Sequence, residues 1–266
     1  MKTTILPRLL SLACLVLLGS SRAYADDATG QPAARGLAWS SNASTVSQYV
    51  SRGFRQTWGK PALQGGFDVA HPSGWSAGTW MSSVSDRYIE NGKLEWDLYG
   101  GYTGAAGPVG YSLMALVYRY PGAVMEASGT KFDYAELSGG ITYKSLYARY
   151  NHTVTRDFFG ITGARGTGYV DAGANLAIGD GYVLNLHAGE GRVAGPGNDY
   201  WDWRDIKLGM TRALPGGWSV AGAWTRAFGA TDAYDRYTTG VPNAAGHTAY
   251  SNPAEGTFVL TLTRTF

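Results

Sequence analysis

From residue 38 onward the chain is cut into segments by connections whose lengths strictly alternate, and that alternation constrains the fold more than any composition does. The short joins are "HPSG" (His71 to Gly74), "GAAGP" (Gly104 to Pro108), "KS" (Lys144-Ser145), "GDG" (Gly179 to Gly181) and "LPGG" (Leu214 to Gly217). All are rich in residues that accept turn dihedrals. Between them fall longer, more polar joins at 51–60, 85–92, 121–131, 157–166, 194–202 and 230–255. The intervening segments read as twelve strands, at 38–50, 61–71, 74–84, 93–104, 108–120, 132–143, 145–156, 167–179, 181–193, 203–214, 217–229 and 256–266. Each is long enough for a tilted bilayer crossing, which takes about 9–11 residues.

Side-chain alternation gives most of these strands two unlike faces. In "KLEWDLYGGYTG", Leu94, Trp96 and Leu98 share one side and Glu95, Asp97 and Tyr99 the other. Leu146, Ala148 and Tyr150 oppose Tyr147, Arg149 and Asn151, and Ile206, Leu208 and Met210 oppose Lys207, Gly209 and Thr211. The last segment, "GTFVLTLTRTF", repeats the plan with Leu260 and Leu262 on the apolar side and ends on Phe266. Two strands depart from it: the first is polar on both sides, and the fifth is apolar on both, so that inward Met114 and Leu116 would narrow the interior. Trp75, Tyr102, Tyr120, Tyr143, Tyr182, Trp203, Trp218 and Phe266 gather near strand ends, where interfacial girdles are expected.

Strands that face hydrocarbon cannot leave an unpaired edge, so they must close. The expectation is an all-β protein: a single transmembrane antiparallel up-and-down β-barrel of about 12 strands, with short turns periplasmic and long loops outside. A soluble β-sandwich is the alternative, but it does not sort its connections by length and gains nothing from a terminal Phe.

The N-terminus fits export. Lys2 and Arg8 precede an apolar run from Leu9 to Leu18, and Ala23-Tyr24-Ala25 supplies a small-x-small cleavage pattern. Residues 1–25 are therefore expected to be a cleaved signal peptide, 26–37 a short periplasmic segment and 38–266 the outer-membrane barrel. The apolar run is too short for a spanning helix, which needs roughly 20 residues. Cleavage would remove Lys2, Arg8 and Arg22, three of the 22 basic residues, and none of the 20 acidic ones, leaving a net charge of −1. That near-neutrality speaks against nucleic acid as a partner, because phosphate binding needs a clustered basic surface. Cys14, the single cysteine, lies in the signal, so the mature chain offers no disulfide and no thiol ligand. His71, His152, His187 and His247 lack metal-ligand spacing. No metal or cofactor is expected.

One stretch has a more specific likeness. Ser47 to Val84 carries Tyr49-x-x-Arg52-Gly53, then Pro61-x-Leu63-Gln64-Gly65-Gly66, the turn Ser73-Gly74-Trp75 and Gly78-Thr79-Trp80. These motifs, with "LEWDLYGGYTG" and "YRYPG" beyond them, resemble the TorF-like porins, also described as the bacterial Gcw_chp family. The resemblance is specific over roughly residues 40–150. It implies a single-domain outer-membrane barrel of porin type, without a known substrate or catalytic residue.

A porin needs a water-filled lumen with polar walls. The pore-lining candidates are Asp68, Glu95, Asp97, Arg149, Asp171, His187 and Lys207. Two readings of them are open: a field across the lumen that orients small polar solutes, or charge pairs that brace a mostly filled barrel. Arg52 and Arg55 are candidates at the loop mouth, either attracting anions or holding the loop and meeting lipopolysaccharide phosphates. Lipid, lipopolysaccharide and, through Phe266, the barrel-assembly machinery are the expected partners of a monomer. A structural or adhesive barrel is the rival reading, with the long 233–253 loop either folding into the mouth or reaching a partner. An enzyme is less favoured, because no histidine sits in a hydrolase constellation.

Overall fold

The computed structural model describes residues 36–229, 231–235, 237–238, 242, 245–248 and 250–266. The expected signal peptide, and the 26–37 segment except for its last two residues, lie outside them. Twelve long strands follow in order: β1 Ala38–Val46, β2 Ala62–Ala70, β3 Trp75–Ser83, β4 Leu94–Ala106, β5 Val109–Arg119, β6 Tyr134–Tyr143, β7 Leu146–Thr153, β8 Gly168–Gly179, β9 Tyr182–Arg192, β10 Trp203–Ala213, β11 Trp218–Gly229 and β12 Thr257–Thr265. Each is antiparallel to its sequence neighbours, and β1 pairs with both β2 and β12, so the sheet closes into a barrel.

The closing seam runs from Asn42 opposite Thr265 to Val46 opposite Thr261. Ser44 Oγ and Thr263 Oγ1 share a hydrogen bond of 2.8 Å inside it. At one end the Phe266 amide donates to the Ser41 carbonyl at 2.9 Å, and at the other the Ser47 amide donates to the Leu260 carbonyl at 2.9 Å. No edge is left with a row of unpaired amides, the condition for a sheet to sit in hydrocarbon.

The two faces are inverted relative to a water-soluble protein. Leu63, Leu113, Phe258 and Leu260 point outward with 65–74% of their surface exposed, whereas Glu95, Asp97 and Glu136 point inward at 1%. Charged side chains are almost never fully buried in a soluble domain unless paired, and an apolar belt of this extent has no place in water. The first strand shows what its unusual sequence does. Asn42, Ser44 and Val46 turn inward, while the outward positions Ser41, Ala43 and Thr45 are small or hydroxylated.

Strand ends differ as well. At the turn side Trp75, Tyr143, Trp218 and Phe266 are exposed on the outer face, with Trp75 packed edge-on against Tyr102 at 5.5 Å. Tyr120 and Trp203 do not join such a girdle: they are 3% and 4% exposed and lie inside the barrel, because the loops beside them fold inward.

Adjacent residues of one strand thus face opposite solvents, which makes a substitution test direct. Leu260→Arg places a charge on the lipid face and is expected to destabilise the folded barrel by about 2–4 kcal/mol. Thr261→Ser, on the inner face, is expected to change it by less than about 0.5 kcal/mol. Denaturant titration of refolded protein in lipid vesicles measures both.

Candidate functional site

The first long connection, residues 47–61, does not stand over the mouth. Val50 pairs with Arg55 and Ser51 with Phe54, so the loop forms a narrow ribbon whose two-residue tip is Arg52-Gly53. Both tip residues have positive φ, 48° and 85°, as a type I′ hairpin demands. A non-glycine residue in that region costs of the order of 1–3 kcal/mol, so Arg52 is held there by its contacts. Its guanidinium donates two hydrogen bonds to the Glu136 carboxylate, at 2.9 and 2.5 Å, one more to Tyr118 Oη at 3.4 Å, and lies 4.5 Å from the Tyr169 ring centroid. Gly53 touches the far wall: a methyl group at its α-carbon would come within 2.7 Å of the β-carbons of Asp205 and Ala227. The tip therefore spans the interior, from β5 and β6 to β10 and β11.

Above the tip, aromatic side chains from the other loops close the barrel. Phe54 packs on Tyr234 at 4.6 Å and on Trp203 at 5.6 Å, and Tyr88 on Tyr237 at 5.3 Å. Phe132 meets Phe159 at 5.1 Å, Phe158 meets Tyr134 at 4.8 Å, and Tyr118 stacks on Tyr134 at 4.3 Å. Such pairs contribute roughly 0.5–1.5 kcal/mol each beyond the area they bury. Met114 and Leu116 join this cluster from β5, which accounts for that strand being apolar on both faces. Burial holds the Tyr88 and Tyr237 hydroxyls well above the ordinary phenol range, so both stay neutral. The described parts of the last loop fold back onto this layer, where Arg55 donates to Ser251 Oγ at 2.7 Å and to the Asn252 carbonyl at 3.0 Å, with Glu255 at 3.4 Å.

Below the tip lies a charged band. Arg149 donates to Asp171 at 2.8 Å, and the two ring nitrogens of His187 face Asp171 at 2.9 Å and Asp205 at 2.6 Å. Tyr169 Oη donates to Asp205 at 2.9 Å. Register explains the convergence: Arg149, Asp171, Gly189 and Asp205 lie in one cross-strand row, and His187 and Lys207 are paired in the next. Gly189 is required by this arrangement, since a methyl group there would lie 2.2 Å from Tyr169 Oη. Nearer the turns the inner wall carries Thr103, Ser112, Thr142, Ser219 and Ala221, all partly exposed. The interior is thus packed on the loop side and partly open on the turn side.

All seven pore-lining candidates lie on the inner wall. Asp171, His187, Arg149 and Lys207 are brought together in the band, Asp68 accepts from Tyr99 Oη at 2.6 Å, and Glu95 and Asp97 are buried higher up. Of the two arginines expected at the mouth, Arg52 is folded inward, because the hairpin tip has partners inside, whereas Arg55 holds the last loop through Ser251 and Asn252. Sequence reasoning missed Glu136, Asp205 and Tyr169. The first two were legible, since Glu136 alternates with Tyr134 and Ser138, and Asp205 with Lys207. The role of Tyr169 depends on Arg52 reaching it and was not.

No curated protein sequence is detectably similar to this one. Solved structures share its fold. A KdgM porin superposes with a TM-score of 0.51 at 6% identity, over 85% of this chain and 99% of that one. A NanC porin does so with a TM-score of 0.50 at 8% identity, over 86% and 99%. A second KdgM structure, described as a complex with disordered oligogalacturonate, has a TM-score of 0.50 at 5% identity over 85% and 99%. These likenesses establish the closed twelve-strand porin-type barrel. The family model described as "Bacterial protein of unknown function (Gcw_chp)" matches residues 30–266, and the chain belongs to that family.

Proposed function

We propose that this protein is an outer-membrane, porin-like channel for passive diffusion of small polar solutes, closed on its loop side by the first loop. The observation that carries the reading is the wall itself: an apolar outer belt encloses charged and hydroxylated side chains that are wetted from the turn side. The porin fold of KdgM and NanC supports it. The stretch that resembles the TorF-like porins, Ser47 to Val84, builds the inserted hairpin and the strands beside it, which ties those motifs to closure. The oligogalacturonate named for one KdgM structure is acidic. It does not suit this wall, where Asp68, Glu95, Asp97, Glu136, Asp171 and Asp205 outnumber Arg52, Arg149, Lys207 and His187.

In this reading the turns are periplasmic, the loops extracellular, residues 1–25 a cleaved signal, and the chain a monomer. Phe266, exposed beside Arg264, would be read by the assembly machinery. Arg192 and Arg204, gathered on Glu190 at the outer rim of the loop side, would meet lipopolysaccharide phosphates. His187 touches two carboxylates and two phenols rather than a serine or cysteine nucleophile, which favours a structural over a catalytic role. A non-conducting structural or adhesive barrel is the second reading, favoured by the density of the aromatic layer.

Single-channel recording of refolded protein in planar bilayers separates the two. Arg52→Ala and Glu136→Gln each remove a charge-assisted bond of about 1.5–3 kcal/mol, so each is expected to raise the open fraction about tenfold or more. The double variant should do no more than Arg52→Ala alone, because that change already removes the Glu136 contact. Deletion of 233–253 is expected to shorten closed times further. Silence of all these proteins, with heat-modifiable folding intact, would favour the non-conducting barrel.

A further inference from the structure

Beside the Arg52 tip, β4 holds two inward carboxyl groups to which no cationic side chain among the described residues is bonded. Asp97 is 1% exposed, and neither of its carboxylate oxygens has a hydrogen-bond partner among the described residues. Glu95, two residues along the same face and also 1% exposed, leaves Oε2 unpartnered while meeting the hydroxyls of Tyr49 and Tyr120. An unpaired buried carboxyl group either stays neutral by holding its proton or is stabilised as the anion by a cation or a set of donors. The guanidinium within electrostatic reach, that of Arg52, is bonded to a third carboxylate, Glu136. Three inward carboxyl groups, Glu95, Asp97 and Glu136, therefore share one guanidinium.

The surroundings suit one class of ligand. Asp97 lies in register between Trp80 and Tyr118, and the Trp80 ring meets that of Tyr49 edge-on at 5.4 Å. Aromatic faces beside carboxylates are the setting in which ammonium and guanidinium groups are held by charge and by cation–π attraction together. Arg52 already shows the chemistry, since its guanidinium rests on Glu136 and against the Tyr169 ring.

We propose that Glu95 and Asp97, with Trp80, Tyr49 and Tyr118, form a binding subsite for small organic cations bearing an ammonium or guanidinium group, and that Arg52 competes with such a solute for the adjoining acidic wall. This deepens the channel reading and rests on it for its physiological meaning: the solute class is cationic, and its entry displaces the hairpin that closes the lumen. Binding itself does not require conduction.

The test uses the refolded full barrel in detergent and agmatine as the probe, with galacturonate as an acidic control, by equilibrium dialysis. Saturable agmatine binding is expected. The near-isosteric Glu95→Gln/Asp97→Asn protein should bind at least tenfold more weakly, Trp80→Phe severalfold more weakly, and Arg52→Ala at least threefold more tightly, with no galacturonate binding to any. Heat-modifiable migration verifies the fold of each variant. Equal binding by the wild type and the carboxylate double variant would overturn the subsite, as would absence of saturable binding in both the wild type and Arg52→Ala. Agmatine binding by a protein silent in bilayers would support the subsite and sink the channel, whereas conduction without agmatine binding or block would sink the subsite and leave the channel standing.

Discussion

Hydrocarbon offers the backbone no hydrogen-bond partner, and everything else in this structure follows from that refusal. A strand set in lipid must pair on both sides, so the sheet closes through the β1–β12 seam. Closure then divides each strand into a face that meets lipid and a face that meets the interior. Leu260 and Thr261 are neighbours in the chain and inhabit different solvents. The charged groups have no exit through the wall, and they must find one another, or a solute, inside.

The interior meets this demand in two layers. On the loop side apolar and aromatic side chains exclude water, and the arginine buried among them, Arg52, is paired bidentately with Glu136. On the turn side small and hydroxylated residues leave the wall wet, with the Arg149–Asp171–His187–Asp205 band at the boundary. The hairpin tip links the layers. Its Arg-Gly pair is a turn requirement and a contact requirement at once: glycine is needed for its left-handed φ and its approach to Asp205 and Ala227, arginine for its reach to Glu136. In the proposed channel reading this one loop contact, which spans the lumen, is the element that opening has to break.

Much of the architecture was legible in the sequence, for a physical reason. Turn chemistry and period-2 alternation are local, and both survive translation into sequence: the twelve strands lie where the connections place them, and Met114 and Leu116 point inward as expected. The inner candidates were legible for the same reason, because parity along a strand fixes the face. What local pattern does not carry is the path of a loop. Nothing near Arg52 announces that its partner is Glu136, 84 residues on. Tyr120 and Trp203 resemble girdle residues in sequence and become plug residues only because neighbouring loops turn inward.

The central claim is that water wets the inner face and lipid the outer. Cys14 is the only cysteine in the chain, so single cysteines introduced along β10 and β12 report on one position at a time. With the protein refolded into liposomes, cysteines at Lys207 and Thr261, partly exposed on the inner face, should react with a small water-soluble thiol reagent. Those at Leu208, Met210, Leu260 and Leu262 should instead respond to a lipid-dissolved quencher, giving a period of two. Uniform labelling by the water-soluble reagent at both sets, or folding of the protein as a compact monomer without detergent or lipid, would contradict the account.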